Sequence, residues 1–342
     1  MDLHEFARRM PKTELHVHLE GTVRPATLIQ LARRNGVRLP VEDEAGLQEL
    51  YRFSDFRHLL KTFSLINDCL QTQDDYRLIV YEYGHECARQ NIRYAEVTFS
   101  IETNIRRSGL PWRTILEGLN AGREQIRLES GVEFRWIFDI VRDHPKTQEQ
   151  VLQIALAARA GGCVALGLGG SEAKYPPRLF VDTFERARQA GLPRVPHAGE
   201  FSGPKSVWAA LELLHADRLE HGVRSIEDPC LLEYLRQNQI ALDICPTSNI
   251  RLGVYSSYAD HPVRRLWEAG LLITIGSDDP PLFNTDLNQE YQVLVDQFDF
   301  HADELEQIGQ NGLRASFLPR TEKERLQAEF QAEFAHLREA LK

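Results

Sequence analysis

The sequence contains no C-x-x-C pair; its five cysteines, Cys69, Cys87, Cys163, Cys230 and Cys245, are odd in number and widely spread. That excludes a disulfide framework and a zinc ribbon and leaves reduced thiols, as in a cytosol. Positive charge is in deficit as well. Lys and Arg number 40 against 50 Asp and Glu, a net charge of -10, which repels polyanions where nucleic-acid binding needs a basic stripe. No nucleic-acid partner is expected. No segment approaches the roughly 18 uninterrupted apolar residues of a membrane span, and Met1–Glu5 lacks the cationic start and apolar run of a signal peptide. A soluble, cytoplasmic chain without a membrane partner is the expectation. Phosphate cradles are missing too: there is no G-x-x-x-x-G-K-[ST], and Gly167-Leu168-Gly169-Gly170 does not fit G-x-G-x-x-G. Neither a G-x-S-x-G elbow nor a Cys placed like a nucleophile occurs.

What is present is enough apolar material for a large core, 42% of 342 residues. Short β-branched and aromatic runs alternate with amphipathic stretches, the pattern of a parallel sheet wrapped by helices. Strands are expected near Thr13–His18, Arg93–Phe99, Glu133–Val141, Cys163–Leu168, Arg194–His197, Arg218–His221, Ile240–Cys245 and Leu272–Ser277. Eight strands predict an α/β fold, a (β/α)8 TIM barrel. About 70 residues separate the first two, far more than one helix and two loops require. Arg24–Gly36 and Asp55–Cys87 show helical apolar spacing, the latter through Phe56, Leu59, Leu60, Phe63, Ile66 and Leu70. A helical insertion over the barrel top is expected, as added packing or as a substrate lid. Thr321–Lys342 is a charged, helix-favouring tail, and without repeats or a linker the chain 1–342 is expected to form one domain.

Most of the twelve histidines need no functional account, but four stand at expected strand ends, where a barrel collects its catalytic groups. In Glu14-Leu15-His16-Val17-His18-Leu19-Glu20 the two-residue strand period puts His16 and His18 on one side, free to share a metal ion. His197-Ala198-Gly199-Glu200 brings a third imidazole and an acid to the fifth strand end, and His221 closes the sixth. After the eighth, Asp278 and Asp279 cannot point the same way on an extended chain, so one can bind metal while the other meets a substrate. Imidazoles with one carboxylate suit zinc, and an open position leaves room for an acidified water.

These residues resemble the adenosine deaminase family, zinc purine deaminases of the amidohydrolase type. The match runs through Pro11–Gly21, His197–Glu200, His221-Gly222, Cys245-Pro246-Thr247-Ser248-Asn249 and Ser277-Asp278-Asp279-Pro280, in the family's order. The resemblance implies one zinc per chain, held by His16, His18, His197 and Asp278. It further implies that Glu200 protonates purine N1 as water attacks C6, that His221 orients and helps deprotonate that water, that Asp279 contacts N7, and that the backbone N–H of Gly170 meets N3. His18 and Glu20 would also border the substrate. The flipped-base deaminases' H-x-E and P-C-x-x-C signature is absent. A carbamylated-lysine hydrolase on the same barrel fits less well, because Lys174 and Lys205 do not end expected strands, and a non-catalytic purine-binding barrel has no use for ligands, acid and base together.

Departures from the pattern bear on the substrate. Glu20 stands where typical adenosine deaminases carry Asp; His-Leu-Glu-Gly is more usual in adenine deaminases and in aminodeoxyfutalosine deaminases. Glu220, not the Gly common before the sixth-strand His, is expected to be local strand-end variation. Leu59, Leu60 and Phe63 resemble an apolar lid over a ribose, and Tyr94–Ser100 lacks the Phe-Asp-Pro-Gln run associated with adenine deaminases. The expected substrate is a purine nucleoside, adenosine or deoxyadenosine first, aminodeoxyfutalosine second and adenine third, with oligomeric state left open.

Overall fold

The structure, a computed structural model, describes residues 1–41, 43–52 and 56–341. Eight strands, β1 (Lys12–His18), β2 (Ile92–Phe99), β3 (Glu133–Val141), β4 (Cys163–Gly169), β5 (Arg194–Ala198), β6 (Arg218–His221), β7 (Ala241–Ile244) and β8 (Ile273–Ile275), lie in sequence order in one sheet. Every neighbouring pair is parallel. Closure comes from just past β8, where Val17 bridges Asp278. The Asp278 N–H donates to His16 O (3.1 Å) and the His18 N–H donates to Asp278 O (2.9 Å). The seam of this α/β barrel is therefore made by residues of the expected ligand set.

All seven positions of β1 are buried: Leu15 and Val17 pack into the core between barrel and helices, and His16 and His18 turn to the axis, while a register shift between Glu14 and Val17 interrupts the alternation and Glu14 accepts the Tyr83 hydroxyl (2.6 Å). Ile137, Ala165 and Val195 form a small apolar cluster of their own with Phe317. Next to it lies charge. Arg218 pairs with Glu96 (2.7 Å) and with Asp243 (2.5 Å), all three buried, so each buried ion has a partner. β8 is shorter than expected because the Ser277 N–H leaves the ladder for Glu14 Oε1 (3.0 Å), and Asp278 turns left-handed at φ 62°.

The long first connection carries four helices after α1 (Leu3–Arg9): α2 (Pro25–Asn35), α3 (Glu44–Leu50), α4 (Phe56–Cys69) and α5 (Gln73–Arg89). α2 stops at Gly36, where a φ of 66° ends the helix without a Cβ penalty. The stretch expected over Asp55–Cys87 divides into α4 and α5, because Thr72 and Asp75 form a reciprocal capping box that starts a new helix. Asp55 and the side chain of Phe56 lie outside the described residues. α3, which apolar spacing does not reveal, begins at Asp43, whose carboxylate accepts the Gly46 N–H (2.7 Å). Beyond β2 follow α6 (Ile101–Ser108) and α7 (Trp112–Ser130), the latter packed on α5, and the charged tail forms the helix Arg320–Ala340. Among the described residues no helix is long and apolar enough to cross a membrane.

Candidate active site

At the C-terminal mouth of the barrel the ends of β1, β5 and β8 bring His16, His18, His197 and Asp278 together. His18 Nε2 lies 3.2 Å from His197 Nε2, and Asp278 Oδ1 lies 3.4 Å from His18 Nε2 and 3.6 Å from His16 Nε2. Donors about 2.0–2.1 Å from a tetrahedral zinc are spaced roughly 3.3–3.4 Å apart, close to these three separations. Burial brings the pKa of each of the three imidazoles down to about 4, so all are neutral, the form that binds metal. His16 Nδ1 donates to Asp243 O (2.9 Å), which leaves Nε2 buried and without a hydrogen-bond partner. Glu220 Oε2 lies 2.6 Å from His197 Nδ1, off the line of a straight hydrogen bond, and its other oxygen accepts the Thr98 hydroxyl (3.0 Å). Glu220 is thus more than strand-end variation: it sits behind a metal-ligand candidate. Ser248 Oγ donates to Asp278 Oδ2 (2.6 Å). These observations fit a zinc ion.

Cys245 Sγ is also within reach of His16, His221 and Asp278. Burial, then the Asp278 charge, pushes its thiol well above the ordinary range, so it offers a poor donor.

Around this cluster stand the acids. Glu200 is buried, and burial followed by the charges of Asp278 and Glu172 holds its carboxyl protonated well above the usual range. It faces His221 Nε2 at 3.6 Å. His221 stays neutral through burial and its imidazole neighbours, and the Asn249 amide bridges its Nδ1 (3.3 Å) to His261 Nε2 (3.1 Å). Asp279 is raised by burial, then by Asp278, Glu20 and Glu200. Glu20, fully buried, accepts Asn104 Nδ2 (2.9 Å) and the Ser100 N–H (3.1 Å) on one oxygen, and burial raises it to about 8. A bound dication would draw the nearest carboxyls back down. His221 (φ 64°) and Asp278 (φ 62°) both hold left-handed backbones rare outside glycine, strain of the kind that gathers at functional sites.

A cavity of about 300 Å³ opens onto this constellation, walled by His18, Gly170, His197, Glu200, His221, Asp278 and Asp279, and by Leu59, Leu60 and Phe63 of α4. The insertion therefore contributes a wall of the cavity and not only packing. A larger cavity, about 700 Å³, lies behind Ser277 and Pro280 and takes in none of the metal-ligand candidates. Gly170, at φ 96°, lines the site. Glu20, expected to border the substrate, does not line the cavity: it is fully buried behind Ser100, whose N–H it accepts. The expected zinc ligands lie together at one mouth with Glu200, His221, Asp279 and Gly170.

Sequence reading missed Thr103, Arg106 and Arg107, which line the cavity from α6, and two acids. Asp139, inside β3, lines the cavity with burial raising its carboxyl to about 7; its only sequence signal is a lone acid in the apolar run Trp136–Val141. Glu172 follows β4 and has no such signal. Buried oxygens of Glu20, Asp139, Glu200 and Asp279 lack hydrogen-bond partners. Each such atom costs about 1–3 kcal/mol if left unmet, so their convergence marks a place prepared for a polar ligand.

The arrangement, neutral imidazoles and a carboxylate beside a proton-holding acid and a neutral base, suits hydrolytic attack on a ring carbon whose neighbouring nitrogen accepts a proton. The profile of the adenosine deaminase family matches residues 11–333. An aminodeoxyfutalosine deaminase of Streptomyces avermitilis is 39% identical, over 96% of this chain and 92% of its own length. An adenine deaminase of Bordetella parapertussis is 37% identical, over 92% of this chain and 98% of its own. Among solved structures, an amidohydrolase of Burkholderia ambifaria with bound zinc superposes with a TM-score of 0.91 at 28% identity, covering 98% of this chain and 94% of that one. With its imidazoles and carboxylates gathered at one barrel mouth and this match over most of its length, the chain belongs to the adenosine deaminase family and is a zinc-dependent hydrolytic deaminase of a small molecule.

Proposed function

We propose that the whole chain, 1–342, acts as one catalytic barrel that deaminates aminodeoxyfutalosine, a 6-aminopurine nucleoside extended at its 5′ carbon by an acidic aryl group. The observation that carries this reading is the shape of the cavity. Ser100 and, from α6, Thr103, Arg106 and Arg107 line it at helical spacing. At 1.5 Å per residue that face runs about 10 Å, from beside Glu20 out to two guanidinium groups. Arg107 is held by Asp68 (2.6 Å), whereas Arg106 pairs among the described residues only loosely with Glu102 (3.5 Å) and is 42% exposed, available to an anion. A bare adenine would leave that end empty. The similarity to the Streptomyces enzyme supports the same reading.

Adenine is the second reading, favoured by the Bordetella relative and opposed by the missing Phe-Asp-Pro-Gln run. Adenosine, first by sequence alone, falls behind both: Glu20 replaces the expected Asp, and both curated relatives are named for other substrates.

In the proposed mechanism His16, His18, His197 and Asp278 hold zinc, which supplies a water acidic enough to attack at neutral pH. Glu200 gives its proton to N1, so that the ring accepts the electrons displaced by attack at C6. His221 Nε2 orients the attacking water, takes one of its protons and passes it to the amino nitrogen, so that the C6–N bond breaks and ammonia leaves; the remaining hydroxyl proton returns to Glu200 and a 6-oxopurine is left. Asp279, protonated, donates to N7, and the Gly170 N–H meets N3. Leu59, Leu60 and Phe63 exclude bulk water over the sugar.

Ammonia release from aminodeoxyfutalosine, adenine, adenosine, deoxyadenosine and AMP tests the assignment. The first should exceed the others in kcat/KM by about 10²-fold or more, the discrimination a site gains when its polar groups are left unpaired by the wrong ligand. Adenine or AMP as the best substrate overturns it.

A further inference from the structure

Four successive backbone N–H groups after β5 point at one carboxylate. Glu172 Oε1 accepts the Gly199 N–H (2.7 Å), and its Oε2 accepts those of Glu200 (3.3 Å), Phe201 (3.0 Å) and Ser202 (2.9 Å). A run of donors turned inward can join neither a helix nor a strand ladder and needs an acceptor supplied from elsewhere. Glu172 is that acceptor, 4% exposed, with the buried Arg142 guanidinium near enough to offset its charge. Arg142 also donates to His197 O (2.5 Å) and Tyr175 O (2.8 Å), so the pair straddles the junction between β5 and the loop. Gly199 makes the bend possible: its φ is 73°, and a Cβ there would lie 2.4 Å from Val207 Cγ2.

We infer that Glu172 is the positioning residue for Glu200. It clamps the backbone of residues 199–202 from behind, so that the Glu200 side chain is delivered to the cavity face beside His221. Only an acceptor-only group satisfies this loop, because every partner is a donor. Glu172 itself touches no reacting atom. The inference rests on the reading of Glu200 as proton donor.

The test uses the zinc-loaded full chain and whichever of the five purines above is turned over fastest. Glu172→Gln sets an NH2 against at least one N–H and loosens the loop. Expected are a kcat lower by roughly 10²-fold, the scale of a reacting group misplaced by about 1 Å, an unchanged KM, one zinc per chain, and faster hydrogen exchange confined to the amides of 199–202. Glu172→Asp, still acceptor-only but too short to reach all four, should fall between, and it serves if the Gln variant does not fold. Glu172→Gln combined with Glu200→Gln should be no slower than Glu200→Gln alone, since the first acts through the second. Near-normal kcat in Glu172→Gln while Glu200→Gln is crippled, or losses that multiply in the double variant, overturn the inference. Near-normal kcat in Glu200→Gln itself overturns instead the proton-donor reading on which it rests.

Discussion

Gly21→Ala isolates the placement of Asp279. Gly21 lies in the single 3-10 turn Glu20–Thr22, and a Cβ there would stand 1.9 Å from Asp279 Oδ1, 2.6 Å from its Cγ and 2.8 Å from its Cβ. Ordinary carbon–oxygen contact is about 3.4 Å, so the carboxyl must retreat by more than about 1 Å, a displacement that costs on the order of 10²-fold in rate when the group meets a reacting substrate. The Gly21 φ is not positive, so alanine adds no left-handed strain of its own, but turning the Asp279 carboxyl relieves only the contacts with Oδ1 and Cγ; the overlap with its Cβ moves the backbone at residue 279 as well. The cost therefore falls on catalysis and on stability together. Steady-state kinetics, zinc analysis and thermal unfolding are to be measured on one preparation, with kinetics well below the melting midpoint: kcat/KM should drop about 10²-fold with zinc retained and the melting midpoint lowered. Activity within threefold of the parent refutes the role given to Asp279; loss of zinc in step with activity refutes the argument that the displacement stops short of Asp278.

Further outcomes follow from the same site. Glu200→Gln should retain zinc and lose about 10²-fold or more in kcat, the scale of a general acid. Removing zinc with a chelator should abolish turnover and re-addition should restore it; undiminished activity in metal-free protein rejects the mechanism. Glu220→Gln should weaken zinc retention about 10- to 100-fold, as changes behind a metal ligand do, measured by competition with a chromogenic chelator; unaltered affinity denies Glu220 any hold on His197. Glu20, raised to about 8, and Asp139, raised to about 7, each bind a proton more tightly when folded than unfolded. Their stabilisation is full below the ordinary carboxyl range and is lost as pH climbs through 7 to 8. Metal-free protein should thus melt lower at pH 8.5 than at pH 5.5, and Glu20→Gln should flatten the slope; a midpoint that rises with pH contradicts this.

Local rules sufficed for the frame. The two-residue period of Glu14–Glu20 sets His16 and His18 on the barrel side of β1, because consecutive strand side chains alternate. Strand-end position likewise marks His197, His221, Asp278 and Asp279, since a parallel barrel opens its C-terminal ends together. Alternation also carries the β/α order, which turn chemistry then bounds.

Contacts between distant segments were beyond such rules. Glu14 reaches Ser277 across 263 residues to end β8, and Glu172 reaches the Glu200 loop across 27 to 30. Asp139 reads as one acid in an apolar strand until the barrel turns it inward, and Glu220 as a variant strand end until His197 is laid against it. Protonation was equally out of reach, because it depends on how far water is excluded and which charges are left facing one another. Side-chain type at a local period was enough for the barrel and for the set of groups expected at its mouth. Only the tertiary structure decided which groups hold those side chains in place, because hydrogen bonds and buried charges are set by distance in space, for which separation along the chain is no guide.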